Sequence, residues 1–136
     1  MHYFLDIDPA AAAPIWRQIE DGMRRLVASG RLEAGAAVPS VRELARTLRV
    51  NPATVSKAYR RLTDAGMLAV RRGEGTFVAE LSAGALAELR RRLLVDSAEA
   101  YMRVATSVGA GQDEALRAVD ECLQAGIEGG GGEHDE

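Results

Sequence analysis

The side chains with the clearest chemical potential in this chain are cations, and they cluster in its middle. Between Arg42 and Arg72 lie eight basic residues and only two acidic ones, Glu43 and Asp64, although the whole chain carries a net charge of −3. Lys57 is the only lysine, and the other 16 cations are arginines. Guanidinium and ammonium groups bind phosphate oxygens through charge-assisted hydrogen bonds. This local positive excess therefore predicts a phosphate-rich partner such as nucleic acid, whatever the sign of the total charge.

Other kinds of chemistry have few residues to carry them. The 136 residues include one cysteine, Cys122, and two histidines, His2 and His134, which lie near opposite ends. This composition excludes an internal disulfide and disfavours a metal site or a His-based catalytic triad. No apolar run approaches the ~20 residues of a membrane span, and the chain does not start with a secretion signal. We therefore expect a cytoplasmic, non-enzymatic protein without cofactor or metal, associated with the nucleoid when it binds DNA.

Two capped helices must position the central cations. Ser40 followed by Glu43 forms the capping-box pattern, which predicts the start of a short helix. Asn51, followed by a proline, predicts the start of the next helix, which runs to about Ala65 and stops at Gly66. Two helices joined by a turn of about three or four residues, and preceded by another helix, are typical of a helix-turn-helix.

The flanking segments complete the pattern of a winged helix-turn-helix. Apolar residues at three- and four-residue steps predict a first helix from Pro14 to near Gly30, and residues 31–38 show no period and are expected to form a loop. Three segments are β-prone, of which the second and third are joined by a glycine-containing turn: Tyr3–Ile7, Met67–Arg71 and Thr76–Val78. We expect a mainly α fold with a small β wing.

The third helix has one apolar and one polar face. The apolar face, expected in the core, consists of Val55, Ala58, Tyr59 and Leu62. The opposite face consists of Ala53, Ser56, Lys57 and Arg60, flanked by Thr54 and Arg61. Small side chains followed by cations suit a helix that enters the major groove, where Lys57 can donate to phosphate or guanine. The alternative is a solvated surface helix whose cations only maintain solubility; the preceding capped helix favours DNA contact.

Two further cationic positions flank that helix. Arg42 lies in the first turn of the second helix, the end that approaches the DNA backbone in this geometry. A surface ion pair with Glu43 is the alternative. Arg71, Arg72 and Gly73 are expected at the tip of the wing, where glycine permits close approach to a phosphate or to the minor groove. The acidic residue that follows them favours the alternative of an ordinary solvated hairpin.

The C-terminal part is expected to be a helical appendage. Ser82 can cap a long helix, which breaks at residues 109–111, and a last helix follows over Gln112–Ala125. The apolar stripe of these two helices cannot close a core alone, so we expect dimerisation through a second copy. The residues expected at that contact are Leu86, Leu89, Leu93, Tyr101, Leu116, Val119 and Leu123. The alternatives are that both helices fold back on their own domain, or that Tyr101 and Met102 line a ligand pocket. We expect Cys122 in the core and the arginines of residues 90–92 on a solvated face.

Several blocks of the sequence before residue 79 resemble the GntR family of bacterial transcription regulators. The blocks are Pro14–Ile19, Gly30–Leu32 with Gly35, Val38–Ala45, Val50–Tyr59 and Gly73–Val78. The asparagine-proline block and the short tail resemble the YtrA subfamily. The 58 residues after Val78 leave no room for the aminotransferase-like branch of the family.

The resemblance implies roles for individual residues. It assigns DNA contact to Arg42, base or phosphate contact to the first turns of the third helix, and minor-groove contact to Arg72 and Gly73. The positions in those first turns are Asn51, Thr54, Ser56 and Lys57. It also implies that the C-terminal helices dimerise. Trp16 replaces the usual tyrosine, for which we expect local repacking only, and Gly111 replaces a capping serine.

Together these observations predict the organisation and the function of the chain. Residues 1–80 are expected to form a winged helix-turn-helix domain, 81–128 a dimerisation region and 129–136 a flexible acidic tail. The expected function is that of a sequence-specific transcriptional regulator, a repressor that binds an inverted-repeat DNA operator as a homodimer. Modulation by a small-molecule effector is a refinement that the sequence leaves open. The alternative is a winged-helix protein–protein interaction module without specific DNA binding.

Overall fold

The fold was analysed in a computed structural model that describes residues 5–129, with side chains to residue 126. This part of the chain forms five α-helices and three short β-strands. The helices are α1 Ile15–Ala28, α2 Val41–Leu48, α3 Pro52–Asp64, α4 Ala83–Ser107 and α5 Gln112–Gly129. The strands are β1 Ala37–Val38, β2 Leu68–Arg71 and β3 Gly75–Val78. The mainly α winged-helix architecture is therefore confirmed. No helix within the described range is both long and apolar enough to cross a bilayer.

The helices α2 and α3 each begin at a capping side chain. Ser40 Oγ accepts from the backbone N–H of Glu43 at 3.1 Å, and Asn51 Oδ1 accepts from the N–H of Ala53 at 2.8 Å. Between these caps Arg49 ends α2 in the left-handed region, with φ of 58°. Each cap satisfies a backbone donor that the first helical turn leaves unpaired, and contributes ~1 kcal/mol. The caps thus determine where α3 begins.

The wing is an antiparallel sheet in the order β1-β3-β2. Ala37 of β1 pairs with Phe77, and Leu68 of β2 pairs with Val78. The expectation of a structureless loop over residues 31–38 is wrong at its end, because β1 forms by pairing with β3. The expected strand over residues 3–7 is absent from its described part. Leu5 is instead buried, and its side chain fills the space that a Cβ atom would take at Gly22. Residues 3 and 4 lie outside the described range.

The core of the winged helix joins all three of its helices to the sheet. Its largest fully buried side chains are Ile19, Met23, Leu44, Val55, Leu62 and Val78. The inward face predicted for α3 is confirmed, since all four of its residues are buried. Burial of each large apolar side chain contributes ~1.5–3 kcal/mol, which makes this cluster the main source of stability. Tyr59 also donates its hydroxyl to the carbonyl oxygen of Pro39 at 2.7 Å, which ties α3 to the chain before α2.

The described chain forms two compact units that divide between Leu93 and Leu94, inside α4 and further along than the boundary expected at residue 80. Leu86 and Leu89 are half-buried against the core of the first unit. Both were expected on a dimer surface, but the first turns of α4 cover their own domain. Residues 90–92 are exposed, as expected of a solvated face, and Arg90 also donates to the carbonyl oxygen of Ala28 at 3.1 Å.

The second unit consists of the rest of α4 and α5. Ala105 and Ala115 are buried, and the Tyr101 hydroxyl donates to the carbonyl oxygen of Ala115 at 2.7 Å. Tyr101 thus joins the two helices of one chain. Cys122, expected in the core, is exposed, because small alanines form the contact between the helices. The expected acidic tail lies outside the described residues except for Gly129, which ends α5.

Candidate nucleic-acid interface

The outer face of α3 presents the residues predicted for it. Lys57 and Arg60 are exposed, and Thr54 and Ser56 are half-exposed. Asn51 is exposed and uses its Oδ1 atom for the cap, so its amide N–H groups are still able to donate. The start of α3 therefore presents hydroxyl and amide groups, Lys57 follows Ser56 in the second turn, and Arg60 lies one turn further on.

The surface around α3 is positively charged and lacks acidic partners. Six exposed cations lie on α2, on α3 and in the turns that follow α2 and β2, and we call them the cationic surface: Arg42, Arg46, Arg49, Lys57, Arg60 and Arg72. Among residues 5–126, no carboxylate oxygen lies within 4.0 Å of any of their charged nitrogens. The ion pair of Arg42 with Glu43 that the sequence left open is therefore not formed. Cations without such partners are free to bind phosphate oxygens.

The wing places its two arginines in different positions. Arg71 is the last residue of β2, and its guanidinium carbon lies 4.2 Å from the centre of the Phe77 ring. Arg72 follows in the exposed turn with Gly73, whose φ of 80° is a conformation that glycine adopts without strain. Arg72 and Gly73 thus form the tip, whereas Arg71 lies along the sheet beside an aromatic ring.

One cluster at this surface was not predicted from the sequence. Lys57 Nζ lies 4.4 Å and the Arg61 guanidinium carbon 4.8 Å from the centre of the Trp16 ring. Arg61 Nε also donates to Glu20 Oε2 at 2.8 Å, and Arg24 donates to Glu20 Oε1 at 3.1 Å. The available signal was on α1, where Glu20 follows Trp16 by four residues and so occupies the apolar face, where an acid requires a partner.

Glu20 is the buried polar residue of the winged-helix core. Burial raises the pKa of its carboxyl, but the hydrogen bonds and positive charges of Arg61 and Arg24 outweigh this effect, and the pKa is lowered below its ordinary value of 4.5. Glu20 is therefore ionised at neutral pH. It neutralises part of the charge of Arg61 and fixes that side chain at the edge of α3. In the part of the chain with described side chains, residues 5–126, no group of three acidic, cysteine or histidine side chains could hold a metal.

Comparison with known proteins shows to which family the chain belongs. Residues 16–78 match the model of the gntR family of bacterial regulatory proteins. The transcriptional repressor YtrA of Bacillus subtilis is 42% identical over 84 residues, which are 62% of this chain and 65% of that protein. The uncharacterised transcriptional regulator YhcF of the same organism is 31% identical over 116 residues, 85% of this chain and 95% of that protein.

Solved structures of similar fold include further members of the same family. A GntR family regulator from Listeria monocytogenes has a TM-score of 0.72 at 27% identity, covering 81% of this chain and 96% of its own. YtrA from Sulfolobus acidocaldarius, a GntR-family transcription factor, has a TM-score of 0.56 at 35% identity, covering 71% and 97%. The DNA-binding domain of AraR in complex with operator ORX1 has a TM-score of 0.51 at 26% identity, covering 57% and 100%. The chain therefore belongs to the GntR family of bacterial transcription regulators, and its winged-helix unit is the DNA-binding domain of that family.

Proposed function

We propose that this protein is a cytoplasmic transcriptional repressor that binds an inverted-repeat operator as a homodimer. The observation that carries the proposal is the cationic surface, whose six exposed cations on α2, α3 and the adjoining turns have no acidic partner among residues 5–126. Its relatives named as regulators, and the operator complex of AraR, support DNA as the partner. Each cation that neutralises a phosphate releases counterions, so affinity depends steeply on salt.

In this proposal α3 enters the major groove with its first two turns. Thr54 and Ser56 are short enough for the groove floor and can donate to or accept from base edges, and Lys57 can donate to a phosphate or to guanine O6 and N7. Asn51 donates its amide N–H groups to a phosphate near the start of the helix. Arg60, one turn further on, contacts a phosphate.

The other contacts flank that helix. Arg42, in the first turn of α2, contacts the backbone or a guanine beside it. Arg72 and Gly73 reach the minor groove from the wing tip, and Arg71 supports them from its position against Phe77. Contacts from α2, α3 and the wing would therefore bind adjacent stretches of one face of the duplex.

The second unit supplies the dimer contact in this proposal. Its exposed large apolar side chains are Leu94, Met102, Val104, Val108, Leu116, Val119 and Leu123. An apolar surface of this kind is stabilised by covering it with a second copy, at ~25 cal/mol per Å². A twofold pair matches an inverted repeat when its two recognition helices lie about 34 Å apart. Of the residues expected at this interface, Leu116, Val119 and Leu123 are exposed as such a contact requires.

The predicted small-molecule effector has one structural candidate. A groove of about 570 Å³ runs along α4, lined by Val95, Ala98, Glu99, Met102, Arg103 and Thr106. Because Met102 also belongs to the exposed apolar face, we assign this groove to the second copy of the chain. A thermal-shift screen tests the effector separately: a ligand that raises the melting temperature and lowers operator affinity supports it.

Selection from a pool of random duplexes tests the proposed function. The wild-type chain is expected to enrich an inverted repeat, and log Kd for the enriched duplex is expected to rise linearly with log salt concentration. A pool that stays unenriched after repeated rounds, with only weak and sequence-independent binding, would instead favour a winged helix used for protein contact.

A further inference from the structure

Trp16 lies at the edge of the proposed DNA-binding surface. It is the only tryptophan of the chain, is half-buried in the first turn of α1, and has two cations of α3 over its ring. Lys57 Nζ is 4.4 Å and the Arg61 guanidinium carbon 4.8 Å from the ring centre. Both distances are within the ~6 Å range in which the aromatic face attracts a cation. Lys57 and Arg61 are four residues apart, so they lie on the same side of α3.

The two cations are held to different degrees. Arg61 is fixed on a second side by its 2.8 Å contact with Glu20, yet 52% of its side chain is exposed. Lys57 has no carboxylate within ion-pair distance among the described residues, so the Trp16 ring is the partner that orders it. A long cationic side chain that is ordered before binding loses less conformational entropy when it contacts a phosphate.

We propose that Trp16 is a positioning residue for DNA binding, which holds Lys57 and Arg61 as a preformed pair of phosphate-contacting cations. The inference rests on the proposed function and extends the interface from α3 to the first turn of α1. It adds Arg61 to the DNA-contacting residues. An aliphatic residue could fill the same space against the core, but only an aromatic ring attracts the two cations.

Three variants of the full-length chain test this role. The probe is the duplex enriched by the wild-type chain, and fluorescence anisotropy gives Kd. Trp16→Leu is expected to weaken binding about fivefold, and Trp16→Phe, which keeps a ring, to stay within about twofold of wild type. Ile15→Ala is the matched control, because Ile15 is also half-buried against the core in the same turn. It is expected to lower the melting temperature without changing Kd.

A double-mutant comparison separates positioning from folding. In the Lys57→Met/Arg61→Met background, Trp16→Leu is expected to change Kd less than twofold, because the cations that it positions are gone. An equal loss of affinity in both backgrounds would mean that Trp16 acts only through the fold, and would overturn the inference. So would a Trp16→Leu variant that binds as well as wild type or more tightly. If the wild-type chain enriches no duplex, the proposed function fails first and the inference fails with it.

Discussion

The two units of this chain differ in how completely each covers its own apolar residues. In the first unit, which ends at Leu93, Ile19, Val55 and Leu62 have no exposed surface, and the outer face of α3 is cationic. In the second unit, large apolar side chains are open to solvent, and Val108 is 73% exposed. The first unit is therefore complete as a folded domain and presents charge to a partner. The second presents apolar surface, which a second copy of the same chain would cover in our proposal.

This difference separates two contributions to operator binding. In the proposed dimer, charge on the first unit would set the affinity of each half for DNA, with an effect that depends on salt. Apolar surface on the second unit would set whether two halves bind together, and that gain would come from effective concentration rather than from new DNA contacts. Variants of the first unit should consequently leave dimerisation unchanged, and variants of the second unit should leave the affinity of a single half for DNA unchanged.

The largest effect is expected from charges placed on the second unit. Leu116→Glu with Leu123→Glu should produce monomers, since a dimer would have to bury four unpaired carboxylates. Loss of the linked second half should weaken operator binding about 100-fold or more. Sedimentation equilibrium and anisotropy measure the two properties. Gln124→Glu, an equally exposed position on α5, is the control and should remain dimeric. A charged double variant that stays dimeric would place the interface elsewhere.

Smaller effects are expected from single cations of the first unit. Arg42→Ala and Lys57→Ala should each cost about 1–3 kcal/mol of operator binding, through lost phosphate or base contacts. Both side chains are exposed, so melts followed by circular dichroism should hardly change. Arg117→Ala on α5 removes the same charge from the second unit and should bind DNA like wild type. If the control loses as much affinity as the two variants, net charge rather than this surface is responsible.

The buried carboxylate of the first unit predicts a pH dependence of stability. The pKa of Glu20 is lowered in the folded state, so its stabilisation is complete above the ordinary value of 4.5 and is lost as pH falls through the folded pKa. Glu20→Gln should lower the free energy of unfolding by about 1–3 kcal/mol at pH 7, because it removes hydrogen bonds from charged donors. Urea unfolding at pH 3 to 7 should show the two proteins converging in acid. A constant difference over that range would contradict this role.

The smallest effect is expected inside the second unit. Tyr101→Phe removes the hydroxyl that donates to Ala115 and should cost about 1 kcal/mol of stability. Thermal unfolding of the dimer measures it, and operator affinity at temperatures well below the transition should stay within about twofold. A large loss of DNA affinity with an unchanged melt would instead place Tyr101 near the DNA or an effector.

Local signals were enough to predict the helix-turn-helix. Ser40 and Asn51 are caps whose hydrogen bonds are made within three residues, and Gly66 supplies the left-handed stop after α3. Features that depend on distant partners were missed. The two-residue strand β1 exists only because β3 lies beside it, and the Trp16 cluster depends on how α1 packs against α3.

The limit of periodicity is clearest in α4. Its apolar residues continue along one helix from Leu86 to Val104, and a repeat of three and four residues does not indicate which turns cover the helix's own domain. Contacts with the core assign Leu86 and Leu89 to the first unit. Of the predicted DNA-contacting residues, the sequence placed those of α3 on one face as the structure has them, whereas it did not anticipate that Arg71 lies against Phe77.

Hydroxyl-radical footprinting of the wild-type chain on its enriched duplex tests most directly whether the outer face of α3 is used by two copies at once. The expected result is two protected blocks on one side of the DNA, with centres separated by about 10 base pairs or by a whole number of helical turns. Protection of both blocks should be lost with Lys57→Ala. A single block, or two blocks that persist unchanged in that variant, would contradict the proposed interface.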